Sequence, residues 1–190
     1  FKLGSNYIML NLLDYKKIMI IGNNGSGKSY FAKELSKITN MPLFHLDLEF
    51  WKPNWEHISE NEWIEKQISI TSGREWIIDG NHTETMEIRF SQADLIIFLD
   101  INRLICLKSV IKRHKKSHED LPDFLERKFD KEFFNFCKRL WTFTKTRKPV
   151  IIQLHNKYPE KDFIIIKTME GKLLWKFKII NIYMKTIILL

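Results

Sequence analysis

Gly22-Asn23-Asn24-Gly25-Ser26-Gly27-Lys28-Ser29 carries four of the chain's landmarks at once: three close-set glycines and a lysine, in the spacing G-x-x-x-x-G-K-[ST]. Before it, Lys17 to Ile21 is a short apolar run that reads as a strand. After it, Phe31, Leu35 and Ile38 recur at helical spacing within Lys28 to Ile38. A strand that ends in glycines and resumes as a helix gathers backbone N–H groups and a helix N-terminus around one point. Glycine permits that approach because it has no Cβ, and the gathered donors attract phosphate. In such a loop the Lys28 ammonium neutralises the β and γ phosphates of a nucleoside triphosphate, and the Ser29 hydroxyl is a candidate Mg²⁺ ligand. Gly22, Asn23, Asn24, Gly25, Ser26, Gly27, Lys28 and Ser29, with Tyr30 behind them, are therefore the expected nucleotide-binding residues.

Outward from this loop, short apolar runs alternate with helical periodicity. The expected strands are Lys17 to Ile21, Leu43 to Asp47, Trp76 to Asp79, Asp94 to Asp100 and Asp162 to Lys167. Ser59 with Glu62 three residues on predicts a capped helix start ahead of Trp63, Ile64 and Ile68. Leu104, Leu107 and Ile111 mark a further helix, and Phe129, Phe133, Phe136, Leu140 and Phe143 mark a long amphipathic one whose aromatic stripe reads as core. This alternation is the pattern of a parallel sheet with crossover helices. At 190 residues the chain makes one domain, placed at residues 16 to 178. Residues 1 to 15 read as an N-terminal extension and 179 to 190 as an apolar tail.

Three of the expected strands end in acid, at Asp47, Asp79 and Asp100. In an open α/β sheet ligands bind outside the carboxyl ends of the strands, so the three carboxylates are expected to line the crevice that holds the loop. Asp79 and Asp100 are candidates for the Mg²⁺ side, acting through water, and Asp47 for orienting or deprotonating an acceptor. Phe50-Trp51-Lys52-Pro53-Asn54-Trp55 brings aromatics beside the same crevice, either to stack on a ring or as core and lid packing.

Taken together, Ile20-Ile21-Gly22 through Ser29, Phe44-His45-Leu46-Asp47 with Trp51-Lys52-Pro53 and Trp55, Trp76-Ile77-Ile78-Asp79-Gly80-Asn81, and Ala93-Asp94 to Leu99-Asp100 resemble the topology modulation proteins, bacterial P-loop proteins related to adenylate kinase. The resemblance runs over about residues 17 to 150. It implies an α/β P-loop NTPase fold of the nucleoside and nucleotide kinase type, three-layered, with a five-stranded parallel sheet and a helical lid at about residues 113 to 127. It also implies ATP and Mg²⁺ as cofactors. Adenylate kinases follow Asp-Gly with Phe-Pro-Arg, whose arginine grips the acceptor phosphate; here Asn81-His82-Thr83 follows Asp79-Gly80. Either Arg89 supplies that contact, or the acceptor carries no phosphate.

Charge is unevenly spread. The net charge is +8, yet residues 1 to 102 hold 10 basic and 14 acidic side chains, whereas residues 103 to 148 hold 14 and 6. Phosphoryl transfer needs cations around the migrating group. Arg113, at the end of Lys112-Arg113-His114-Lys115-Lys116, and Arg127 are the candidate clamps, with Arg103 and Arg139 behind them. The lysines read equally as a solvated helix end.

Composition excludes several classes. Six Trp, fourteen Phe and five Tyr give too much core material for a disordered chain. Cys106 and Cys137 lack metal-ligand spacing and read as reduced cytosolic thiols. Neither a signal peptide nor a membrane span is expected, which points to a cytoplasmic location. The leading expectation is an ATP-dependent, Mg²⁺-requiring phosphotransferase acting on a small molecule or nucleotide, as a monomer or homodimer, with Lys28, Asp47, Asp79, Arg113 and Arg127 as its catalytic set. The alternative is a nucleotide-dependent regulator with weak or no kinase activity that contacts nucleic acid through its basic half. No recognised nucleic-acid-binding motif favours that alternative.

Overall fold

A computed structural model describes residues 12–52, 56–114 and 131–168. Strands β1 (Lys17–Gly22), β2 (Leu43–His45), β3 (Trp76–Asp79), β4 (Leu95–Leu99) and β5 (Asp162–Ile166) form one sheet in the order β2-β3-β1-β4-β5, every neighbouring pair parallel. The inner strands are apolar without a break because both faces of the sheet are covered. Ile18, Ile20, Ile77, Leu95 and Ile97 face one core; Met19, Ile21, Ile78, Ile96 and Phe98 face the other.

Helices α1 (Lys28–Thr39) and α5 (Arg103–His114) close the first face through Phe31, Leu35, Cys106 and Val110. Helices α3 (Glu60–Thr71), α4 (Met86–Gln92) and α7 (Lys148–Lys157) close the second through Trp63, Met86, Phe90 and Ile151. The long α6 (Lys131–Thr146) sends Leu140 into one core and Phe143 into the other. The result is the expected three-layer α/β architecture, with the glycine loop following the central strand.

Local chemistry accounts for the element ends. The capping box at α3 is formed in both directions: Glu62 N–H donates to Ser59 Oγ at 3.3 Å, and Ser59 N–H donates to Glu62 Oε2 at 2.9 Å. Asp94 precedes β4 and accepts from the N–H groups of Lys16 (3.1 Å) and Lys17 (2.9 Å), so it anchors the start of β1. Packing reaches back before β1, where Leu12 is buried and Tyr15 Oη donates to Asp162 at 2.6 Å.

Several expectations are corrected. The second strand stops at His45, and Asp47 lies in the first turn of a five-residue helix, α2 (Leu46–Phe50). The chain leaves the sheet there because Leu46 is fully buried against Gly80; a Cβ on Gly80 would stand 2.7 Å from Leu46 Cβ. The inner face of α5 is not the Leu104 and Ile111 side, which is 60% and 45% exposed, but Cys106 and Val110. Helices α2, α4 and α7 are additional to the reading from sequence. The expected lid beyond His114, with Arg127, lies outside the described residues, as do Phe129, Trp55 and the 179–190 tail. Among the described residues no helix is long and apolar enough to cross a membrane.

Candidate active site

The loop between β1 and α1 is held from three sides. Inside it, Ser26 N–H donates to the Asn23 carbonyl at 3.1 Å, and Asn23 Oδ1 accepts from Asn24 N–H at 2.8 Å. From α6, the Leu140 carbonyl receives Asn23 Nδ2 at 2.9 Å. From α5, the backbone presses against the tip: a Cβ on Gly25, which has φ 79°, would fall 2.3 Å from the Cys106 carbonyl oxygen and 2.9 Å from Val110 Cγ2. Only glycine fits there, and the small Cys106 and Val110 are what let α5 come so close.

The third side is Asn81. Beyond Asp79 the β3 backbone leaves the sheet, and the Asn81 carboxamide takes over its ladder. Its Oδ1 accepts from Gly22 N–H at 3.1 Å and its Nδ2 donates to the Gly22 carbonyl at 2.8 Å, so both polar groups at the mouth of the loop are met. Arg89 supports that segment from below. It is fully buried, with Nη1 donating to Gln67 Oε1 and Nη2 to the carbonyls of Asn81 and, at 3.4 Å, His82. Burial pulls the guanidinium pKa down, with Glu84 opposing. Arg89 is therefore spent on the floor of the site and does not take the place of an arginine gripping an acceptor.

Within this frame Lys28 Nζ donates to the Asn23 carbonyl at 3.1 Å. Burial lowers its pKa, while Asp79 and Asp47 pull the other way and Arg113 adds to the lowering. Arg113 is thus close enough for its charge to be felt at Lys28. Asp79 is 4% exposed; its Oδ2 meets His45 Nδ1 at 3.0 Å, and its Oδ1 is buried without a hydrogen-bond partner. Ser26 Oγ is likewise buried without a partner. Asp47 has a half-exposed side chain whose Oδ1 meets His82 Nε2 at 3.2 Å. Crowding around Asp47 disfavours its charge, but the hydrogen bond and charge of His82, with Lys28 and His45 behind, hold its pKa below the usual carboxylate value.

The structure thus gathers Lys28, Asp47 and Asp79 around one loop. Asp100 is engaged elsewhere, in an ion pair with Lys148 Nζ at 2.6 Å. Tyr30 is 61% exposed on α1. Sequence reasoning missed His45, Asn81 and His82 as parts of the site, and it offered Arg89 only as a possible acceptor-gripping arginine. The departure from Phe-Pro-Arg after Asp79-Gly80 was the signal that pointed to Asn81 and His82. Phe50, Trp51 and Trp63 stand beside them, Phe50 with ring centroids 5.1 Å from each tryptophan.

Such a loop, with a lysine at the start of its helix and a five-stranded parallel sheet behind it, defines the P-loop NTPase fold of the nucleotide-kinase type. Comparison with solved structures agrees. The chain is similar to a shikimate kinase from Acinetobacter baumannii, with TM-score 0.58 and 14% identity over 90% of this chain and 94% of that one. A shikimate kinase from Bacteroides thetaiotaomicron matches with TM-score 0.47 and 15% identity, over 88% and 96% of the two chains. A gluconokinase from Sinorhizobium meliloti matches with TM-score 0.49 and 10% identity, over 90% and 93%. At 14% identity the likeness to the Acinetobacter baumannii enzyme is one of fold. No family model matches the chain, and no curated protein matches it in sequence. The resemblance to topology modulation proteins therefore rests on the motifs quoted above.

Proposed function

We propose that this chain is an ATP-dependent phosphotransferase that transfers a phosphoryl group to a hydroxyl of a small molecule carrying no phosphate at the position Arg89 would have reached. The observation that carries this reading is the convergence of a part-buried Lys28, inside the glycine loop, with two carboxylates that differ in exposure. The residues fit a Mg²⁺-bound triphosphate: Asp79 Oδ1 and Ser26 Oγ are buried polar atoms without partners, next to a cation and a set of glycines. Ser29 and Asp79 would hold the metal, which supplies charge neutralisation on the phosphates. Asp100 is the weaker candidate because Lys148 already meets its charge.

Lys28 binds and neutralises the phosphate chain, and Arg113 brings a second cation from α5. Asp47 is the half-exposed carboxylate, open to an incoming ligand, and serves to receive the hydroxyl proton. Asn24 and Tyr30 are assigned to the nucleotide side, and Arg127 to the clamp on the migrating phosphoryl group, by the sequence alone. The fold shared with a shikimate kinase supports a kinase, and the commitment of Arg89 to backbone carbonyls supports an acceptor without a phosphate. A coupled ADP-release assay over nucleosides, sugars and small alcohols tests the reading. One acceptor that raises ADP release upholds it; clear ATP binding with rejection of every acceptor favours a nucleotide-dependent regulator instead.

A further inference from the structure

His82 is the residue at the site with the least ordinary backbone. It sits at φ 35° and ψ 69°, in the left-handed region that a non-glycine residue rarely occupies. The surrounding structure holds it there. Its carbonyl accepts from Thr85 N–H at 3.1 Å, from Thr85 Oγ1 at 3.3 Å and from Arg89 Nη2 at 3.4 Å. Its ring packs in a triangle with Phe50 and Trp63, 4.8 Å from each centroid, the two themselves 5.1 Å apart. The side chain is 15% exposed, and its Nε2 points at Asp47 Oδ1. Strain at one backbone position and packing against an aromatic pair together fix the orientation of one imidazole on one carboxylate oxygen.

We propose that His82 is a positioning residue for Asp47, its Nε2–H holding Oδ1 so that Oδ2 is presented to the acceptor hydroxyl. This rests on the phosphotransferase reading above. In the step it serves, the acceptor oxygen forms a bond to the γ-phosphorus and the bond from that phosphorus to the β,γ-bridging oxygen breaks. The bridging oxygen keeps the electron pair and leaves with ADP. The hydroxyl proton passes to Asp47 Oδ2 and then to solvent.

A neutral ring with its proton on Nε2 leaves the carboxylate charged and basic. A doubly protonated ring stabilises the anion further and lowers its basicity, so transfer weakens as His82 takes up a second proton. The charged and titratable groups around the ring are Asp47 on α2, His45 on β2, Lys28 on α1, Arg89 on α4, Glu84 in the adjoining turn, and His57, which stacks on the far partner Phe50 at 5.1 Å.

The test combines an NMR titration of the His82 ring with the pH profile of ADP release, using the full chain and MgATP, with water or an added alcohol as acceptor. Replacing Asp47→Asn removes the charged acceptor at Nε2 and is expected to move the ring ¹⁵N resonances of His82. Wild-type ADP release is expected to fall on the acid side as the ring takes up its second proton. His82→Gln, which donates through its amide and cannot titrate, is expected to keep its rate down into the carboxylate range near about pH 4. Unmoved His82 ring resonances in Asp47→Asn overturn the proposal even if the glutamine variant fails to fold, and so does a folded glutamine variant that keeps the wild-type acid limb. A wild-type protein that releases no ADP at any pH, while the ring resonances move in Asp47→Asn, sinks the phosphotransferase reading and leaves the pair standing.

Discussion

Asn81→Ala removes the two hydrogen bonds that hold the mouth of the glycine loop. The side chain is 7% exposed, so water does not readily replace it at Gly22 N–H and C=O. Each backbone group left unmet costs about 1–3 kcal/mol, and allowing for partial relaxation the pair costs about 2–4 kcal/mol. That is a large share of a typical total of about 5–15 kcal/mol. In a chain of this length it corresponds to a fall in Tm of about 6–12 °C. Thermal unfolding followed by circular dichroism gives the stability, and titration with MgATP gives the affinity, which should weaken because Gly22 opens the loop. Asn81→Asp separates the two bonds: it keeps the acceptor, loses the donor, and sets a second carboxylate oxygen against the Gly22 carbonyl. Its affinity for ATP should fall further than that of the alanine variant, because it also puts a negative charge beside the phosphates. A loss of stability under about 1 kcal/mol in Asn81→Ala, with ATP affinity unchanged, would refute the idea that this carboxamide secures the loop.

Two further outcomes are expected. Gly25→Ala forces a Cβ to within 2.3 Å of the Cys106 carbonyl at a positive φ, so α5 must retreat; stability should fall by about 1–3 kcal/mol and MgATP binding with it, as read by denaturation and calorimetry. Asp47 has its pKa held below the unfolded value, so its stabilisation is present above about pH 4 and is lost as pH falls through the lower folded value. In Asp47→Asn the pH dependence of unfolding should therefore flatten in that acid range, and an unaltered acid limb would count against the pair with His82.

Much of the fold was legible because it rests on local patterns. The spacing of Gly22, Gly25, Gly27 and Lys28 fixes a turn whose chemistry has few alternatives. The unbroken apolar runs of β1, β3 and β4 admit only a sheet covered on both faces, and the Ser59 and Glu62 pair marked a real helix start. What was hidden depends on tertiary contact. The departure of the chain at Leu46 follows from the space over Gly80, thirty-four residues away in sequence. The inner face of α5 is set by a cysteine and a valine that make room for the loop, against the larger Leu104 and Ile111 that periodicity favoured. Asp100 reads as a crevice carboxylate until Lys148 is brought to it from the start of α7. Arg89 looks like a ligand-gripping arginine in sequence, and only the fold shows that its donors face Gln67 and two carbonyls.

The central claim is that the glycine loop with Lys28 binds a nucleoside triphosphate. Isothermal titration calorimetry of MgATP into the wild type and into Lys28→Ala, with circular dichroism to show that the variant is folded, tests it most directly. The account predicts saturable binding by the wild type and its loss in the variant. Equal affinity in the two proteins, or no binding to a folded wild type, would contradict it.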